Sequence, residues 1–273
     1  MDRYAVIGNP VAHSRSPLIH REFARATGQS MSYERMLAPL GGFVATATRF
    51  AAEGGKGLNV TVPFKLDAFA MSTQRTSRAE IAKACNTLVW RDDHWFADNT
   101  DGVGLMRDLT HNLGQSLTGC DVLVLGAGGA ARGILGPLLE TSPRSVMVVN
   151  RNRQRADELA QSFARHGPVA ATSAAQLNGR QFDVVINATS VGVNGDVPSS
   201  LWPERPFAPG GLAYDLVYAD TRTPFLRWAL QHSAERTADG LGMLIEQAAE
   251  SFALWRGVRP ETSNVFELLR PKV

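Results

Sequence analysis

Three polar clusters in the N-terminal part of the chain fall at the ends of expected strands: Ser14-Arg15-Ser16, Asn59-Val60-Thr61-Val62-Pro63-Phe64-Lys65 and Asn86-Thr87. A fourth, Asp98-Asn99-Thr100-Asp101-Gly102, follows them. Together they offer hydroxyls, amides, an ammonium and a carboxylate at strand ends, where α/β proteins place ligand-binding groups. Each cluster taken alone also has a structural use. Ser16 suits a helix N-cap with Pro17 at the first helical position. Asn59 and Thr61 could finish a turn, Lys65 could be an exposed lysine, and Asp101 could cap the next helix. Their joint presence beside a dinucleotide-binding pattern favours the chemical use.

That pattern is Gly126-Ala127-Gly128-Gly129-Ala130-Ala131, between a strand at Asp121–Leu125 and a helical stretch reaching Leu139. Glycines there permit the turn and let the backbone approach a pyrophosphate. The helix that follows supplies oriented N–H groups and a partial positive charge. The next strand ends at Asn150, about 20 residues on, where an NAD-binding protein keeps Asp or Glu for the ribose hydroxyls. Here the run is Asn150-Arg151-Asn152-Arg153-Gln154-Arg155. A carboxylate would repel a 2′-phosphate, whereas guanidinium groups attract it and bind it bidentately. Arg151 and Arg155 are one turn apart if a helix starts there, and positive charge at a helix start is unfavourable without an anion. NADP is the expected dinucleotide.

The elements that must hold these groups read as two α/β halves. In the first, Tyr4–Gly8, Met31–Met36 and Gly57–Val60 read as strands. Helical patterns start at Ser16, run over Phe43–Ala52 and follow Pro63, and Thr87–Trp90 with Trp95–Asp98 reads as a β-hairpin. This mixes parallel and antiparallel pairing. From Asp121 the rhythm changes: Asp121–Leu125, Ser145–Val149, Val184–Asn187 and Leu212–Asp215 are apolar runs separated by helical stretches. That alternation predicts a doubly wound parallel sheet. Leu244, Ala248, Phe252 and Trp255 share one face of a terminal helix. The boundary is expected near Thr100–Asp108.

Bulk properties narrow the field. At 273 residues the chain has room for about two domains. A net charge of +2, with scattered basic residues, argues against a dedicated nucleic-acid surface. No apolar run approaches a membrane span, and the N-terminus lacks the pattern of a secretory signal. Cys85 and Cys120 are the only cysteines, which fits a reducing compartment. The six histidines are dispersed, without metal-ligand spacing. A cytoplasmic protein without a metal is expected.

In its order and spacing of motifs the chain resembles the shikimate dehydrogenase family over nearly its whole length. The carrying segments are Tyr4–Pro10 with His13–Pro17, Asn59–Lys65, Cys85–Thr87, Asp98–Gly102, Gly126–Ala130, Asn187–Ser190 and Asp239–Met243. The resemblance implies a Rossmann-type doubly wound NADP domain, residues 101–238, plus an α/β substrate domain with a mixed sheet, residues 1–100 and 239–273. It implies reversible reduction of 3-dehydroshikimate to shikimate, on the route to chorismate and the aromatic amino acids, by a monomer or homodimer. It assigns Lys65 and Asp101 as the catalytic pair. Substrate contacts are implied for Ser14, Ser16, Asn59, Thr61, Asn86, Asp101 and Gln247, with Tyr218 nearby. The cofactor would meet Gly126, Ala127, Gly128, Gly129, Ala130, Asn150, Arg151 and Arg155. It would also meet Thr189, Ser190, Leu216, Gly240 and Met243. Asn152 stands where many members have Thr, and the Leu216-Val217 pair varies in the family. The alternatives are a quinate/shikimate dehydrogenase preferring NAD, against which Asn150-Arg151 argues, and a catalytically silent NADP sensor, against which Lys65 and Asp101 argue.

Overall fold

The computed structural model describes residues 1–177, 179–189 and 201–269. It divides into two compact units, one of Met1–Leu105 with the segment from Leu244 onward, the other of Met106–Met243.

The first unit is built on a six-stranded sheet of β1 (Asp2–Gly8), β2 (Met31–Leu37), β3 (Gly55–Val60), β4 (Gln74–Arg75), β5 (Thr87–Arg91) and β6 (His94–Asp98), in the order β2-β1-β3-β5-β6-β4. β1 pairs in parallel with β2 and β3, whereas β3, β5 and β6 pair antiparallel, so the sheet is mixed. β1 lies between β2 and β3 and reads Tyr-Ala-Val-Ile because both its faces are covered, and Ala5 and Ile7 are fully buried. The hairpin turns at Asp92 and Asp93, both at positive φ, which suits a two-residue loop closed by the Arg91–His94 pair. Helices α1 (Ser16–Ala26), α2 (Phe43–Ala52), α3 (Lys65–Met71), α4 (Ser77–Ala82) and α5 (Asp101–Arg107) fill the connections. Phe43, Phe50 and Phe64 pack on Ile7, Leu58 and Leu88 to make one core. The C-terminal helices are α9 (Leu241–Arg256) and α10 (Ser263–Leu269).

The second unit carries β7 (Asp121–Leu125), α6 (Gly129–Glu140), β8 (Ser145–Val149), α7 (Arg153–Phe163), β9 (Val169–Thr172), β10 (Phe182–Asn187), β11 (Phe207–Asp215), α8 (Pro224–Gln231) and β12 (Arg236–Ala238). The strand order β12-β11-β10-β7-β8-β9 is parallel throughout. By rank along the chain this is 6-5-4-1-2-3, the Rossmann order, whose strand sequence reverses between β7 and β10. Ligands in such sheets bind outside the carboxyl ends at that reversal. The short edge strands β9 and β12 escape sequence inspection because Val169-Ala-Ala-Thr172 and Arg236-Thr-Ala238 carry little apolar bulk. No helix among the described residues is long and apolar enough to cross a membrane.

Candidate active site

The carboxyl ends of β3 and β6 and the amino end of the antiparallel β5 set the position of Lys65. Its carbonyl accepts from Cys85 N at 2.9 Å, while Asn86 N donates to Asp98 O at 3.1 Å and Val60 N to Asn86 O at 2.7 Å. These bonds bring the start of α3, the residue before β5 and the end of β6 together. Lys65 Nζ then donates to Asp101 Oδ2 at 2.5 Å, with both side chains largely buried. Asp101 Oδ1 accepts from Asn86 Nδ2 at 2.8 Å, and the same amide reaches Gln247 Oε1 on α9 at 3.1 Å. Asn86 Nδ2 also faces Thr100 Oγ1 at 3.0 Å, so its two protons have three acceptors. Lys65, Asn86, Asp101 and Gln247 therefore form one constellation, with an ammonium whose remaining protons point to no partner among the described residues. Asp101 opens α5 rather than capping it, and Asn99 Oδ1 accepts the Asp101 N–H at 3.2 Å. Cys85, beside this group, is inert: burial pushes its thiol up to about 12.

Asn59 behaves differently. Its Oδ1 accepts from Tyr33 Oη at 2.7 Å and faces His20 Nε2 at 3.1 Å. Its Nδ2 faces Asn86 O, Thr87 Oγ1 and Ser251 Oγ at 3.3, 3.3 and 3.0 Å. Every position on the amide is engaged within the protein. Behind it Thr87, Thr100 and Ser251, all fully buried, join hydroxyl to hydroxyl at 2.8–3.3 Å, and Ser251 donates to Gln247 O at 3.0 Å. Sequence inspection missed Ser251 as well as His20 and Tyr33. The one available signal was the helical spacing that places Ser251 four residues after Gln247.

The same bonds fix the His20 tautomer. Asn86 O can only accept, so Asn59 turns Nδ2 toward it and Oδ1 toward His20, which must then donate from Nε2. His20 Nδ1 is left bare and buried without a partner. Burial holds the ring neutral, its pKa pushed down to about 3. In the unfolded chain the ring titrates near its ordinary value of about 6.5. Below that pH the unfolded state binds a proton the folded state refuses, so stability falls as pH falls; above it the ring contributes nothing. Between pH 6.5 and 5 the loss is about 2 kcal/mol. Denaturant unfolding across this range is expected to show a steeper acid loss for the wild type than for His20→Gln, by about that amount. Equal slopes would assign the acid lability to other groups.

The turn before Asp101 rests on Asp98, whose carboxylate is 1% exposed. It accepts from Arg78 Nε and Nη2 at 2.7 and 2.6 Å, from Thr76 Oγ1 at 2.5 Å and from Asn99 N at 2.7 Å. Arg78 continues to Glu250, and Arg259 joins Glu250 to Glu246, so the network ties α4 and β6 to α9.

At the end of β1, Arg15 occupies the N-cap of α1 and Ser16 is its first residue, so Ser16 does not cap the helix. Ser14 Oγ accepts the Ser16 N–H at 3.3 Å and lies 3.2 Å from Ser16 Oγ, which also bonds to the Tyr33 hydroxyl. The pair is buried, and these partners of its hydroxyls are neutral. Thr61, half-buried after β3, makes no side-chain hydrogen bond among the described residues.

In the second unit, Gly126 has φ +113°, and a Cβ there would meet Ala188 O at 2.9 Å, so only glycine fits. A Cβ at Gly128, by contrast, would meet nothing within 4 Å. The space at Gly128 is open, and α6 begins just after it, at Gly129, with no side-chain cap and no acidic residue in its first turn. This is the arrangement a pyrophosphate requires. After β8, Asn150 Nδ2 donates to Asn152 O at 2.9 Å. The helix α7 starts at Arg153, with Asn152 Oδ1 accepting the Arg155 N–H at 3.2 Å. Arg151 thus precedes the helix instead of lying one helical turn from Arg155. Both side chains are exposed and have no partner among the described residues, whereas Arg153 is paired with Asp157. Two unpaired guanidiniums at the end of β8 fit a 2′-phosphate.

The loops after β10 and β11 are set by Asp215, 1% exposed. It accepts from Asn187 Nδ2, Val217 N and Thr223 Oγ1 at 2.9, 3.1 and 2.5 Å, while burial still raises its pKa to about 6. Asn187 Oδ1 in turn accepts from Thr189 Oγ1 at 2.7 Å. Gly240 approaches Leu216 so closely that a Cβ would lie 2.2 Å from its carbonyl oxygen. Met243 N donates to Tyr214 Oη at 3.3 Å, and Tyr214 donates to Asp108 at 2.6 Å. Thr189, Leu216, Gly240 and the partly buried Tyr218 thus belong to loops of the second unit, and Met243 to the first turn of α9 in the same unit. Ser190 lies outside the described residues.

Comparison with known proteins agrees with both halves. Residues 6–88 match the family described as shikimate dehydrogenase substrate binding domain. Residues 108–193 match shikimate / quinate 5-dehydrogenase, and residues 240–269 the shikimate 5′-dehydrogenase C-terminal domain. A relative from Chromobacterium violaceum, named shikimate dehydrogenase (NADP(+)), is 55% identical over 269 residues, 98% of each chain. Among solved structures, an Ael1 enzyme from Pseudomonas putida superposes with a TM-score of 0.88 at 44% identity, covering 98% of both chains. Shikimate 5-dehydrogenase from Thermus thermophilus, in complex with NADP(H) and shikimate, gives 0.86 at 35% identity, again over 98% of both. At that identity and coverage, the chain belongs to the shikimate dehydrogenase family.

Proposed function

We propose that the protein is an NADP-dependent shikimate dehydrogenase that interconverts 3-dehydroshikimate and shikimate, with Lys65 and Asp101 as its catalytic pair. The observation that carries this reading is the 2.5 Å Lys65–Asp101 contact, set in the Asn86 and Gln247 constellation of a chain of this family. The first unit would take the substrate and the second NADP.

Bound NADPH supplies the hydride. As the carbonyl carbon is reduced, negative charge grows on its oxygen, and the Lys65 ammonium stabilises it there and holds the proton it needs. Asp101 keeps Nζ in place and accepts from a neighbouring ring hydroxyl. Asn86, Gln247 and Thr61 would orient the remaining hydroxyls, since burying them unpartnered costs several kcal/mol. The Ser14 and Ser16 hydroxyls would hold the carboxylate. Asn59 enters as the group that positions this set.

A single assay crossing shikimate and quinate with NADP and NAD tests the reading. Quinate has a saturated ring and an extra hydroxyl on the carbon bearing the carboxylate, beside Ser14 and Ser16. A misfitting buried hydroxyl costs about 1–3 kcal/mol, and a tilted reacting carbon costs more. The expected kcat/KM for shikimate exceeds that for quinate by at least about a hundredfold. NADP is preferred, and Arg151→Ala or Arg155→Ala raises its KM about tenfold while scarcely altering use of NAD. Equal use of NAD and NADP by the wild type would refute the 2′-phosphate assignment.

A further inference from the structure

Arg35 stands on β2, an edge strand of the first sheet. Its Nε and Nη2 both donate to the carbonyl oxygen of Ser14, at 2.9 and 2.6 Å. A guanidinium ordinarily turns that fork on a carboxylate or phosphate. Here it grips a neutral carbonyl, and among the described residues no carboxylate pairs with it. Other arginines of the same unit are compensated: Arg3 by Glu34, Arg25 by Glu22, Arg75 by Glu80. Glu34, the preceding residue, projects from the opposite face of β2. Arg21 lines the same groove between α1 and β2 but is offset by Glu22 at 4.0 Å, so the unpaired charge there is that of Arg35. Uncompensated positive charge therefore sits beside two buried hydroxyls that have only neutral partners of their own.

We propose that Arg35 gives the substrate site its requirement for a carboxylate. It fixes the Ser14 peptide, and with it the Ser14–Ser16 pair, and it supplies the positive field for an anion bound by those hydroxyls. The inference rests on the assignment of Ser14 and Ser16 to the carboxylate made above. Arg35 does not touch the substrate; it acts through Ser14 and is a positioning residue. Both serines are withdrawn from water but Arg35 itself is exposed, so its field at their hydroxyls is screened by solvent and falls with added salt.

The test compares wild type, Arg35→Met and Arg35→Lys on shikimate and on its uncharged methyl ester, at saturating NADP. Arg35→Met is expected to lower kcat/KM for shikimate about tenfold or more, through KM, and to change that for the ester by less than about threefold. Arg35→Lys keeps the charge but not the fork and should recover part of the loss. A second arm follows the salt dependence of kcat/KM for shikimate, which should be shallower in Arg35→Met than in wild type; this arm decides should the ester not turn over. Equal losses on acid and ester, an unchanged KM for shikimate, or an unchanged salt dependence would overturn the inference while leaving the dehydrogenase reading intact. Wild-type protein inert toward shikimate would overturn that reading and this inference with it.

Discussion

Replacing Lys65 with Ala is expected to lower kcat by roughly two to four orders of magnitude, with KM for shikimate within a few-fold of wild type. The asymmetry follows from when the ammonium matters. The substrate oxygen is weakly charged in the ground state, so Nζ contributes little to binding. Its charge grows toward the transition state, where about 3–5 kcal/mol of stabilisation disappears with the side chain. Asp101→Asn should differ by raising KM as well, because Asp101 holds Lys65 and Asn86 and would also accept a substrate hydroxyl. KM for NADP should stay put in both variants. Steady-state kinetics in the oxidising direction checks this, and Lys65→Ala activity within a few-fold of wild type would remove the residue from the chemistry.

The largest expected effect on stability comes from Arg78→Met. The Asp98 carboxylate is out of water and owes its charge balance to the bidentate Arg78 contact. Removing the guanidinium leaves a buried carboxylate with neutral donors only, which costs about 3–5 kcal/mol. For a chain of this size, each kcal/mol moves the thermal midpoint by about 2–4 °C, so a drop of about 10 °C is expected. The double variant Arg78→Met/Asp98→Asn should recover much of it, since no charge is then stranded. A midpoint within about 2 °C of wild type for the single variant would show that Asp98 is compensated by other means.

The fold was legible wherever a strand announces itself by burial on both faces. β1, β7, β8 and β10 each carry an apolar run, and the Gly126–Ala130 turn is marked by its place between strand and helix. The short edge strands β4, β9 and β12 were not, because two to four residues with little apolar bulk carry no pattern, whereas the longer edge strand β2 was. For the site, spacing alone flagged the polar clusters, and the family resemblance assigned Lys65 to Asp101. What inspection missed are partners distant in the chain. The bond from Asn59 to Ser251 spans 192 positions, and no local pattern distinguishes that serine from a solvated one. Arg35 looks like any charged residue of an edge strand until its contact with Ser14 is known. Asn59 was the converse case: the motif singled it out, and the geometry shows an amide wholly engaged by the protein.

The first unit takes its last helices from the far end of the chain, which puts synthesis and assembly out of step. Residues 106–243 form a contiguous unit whose six strands all precede Leu244, so its sheet can close as soon as it leaves the ribosome. The older N-terminal segment must wait, because the hydroxyls of Thr87 and Thr100 and the amide of Asn59 lack Ser251 until α9 has been made. Its apolar strands are meanwhile open to wrong partners, the condition that makes nascent chains depend on chaperones. Return of α9 is a closure of long sequence separation, the slow kind. The first unit, whose strands are translated earliest, should therefore be the last to mature.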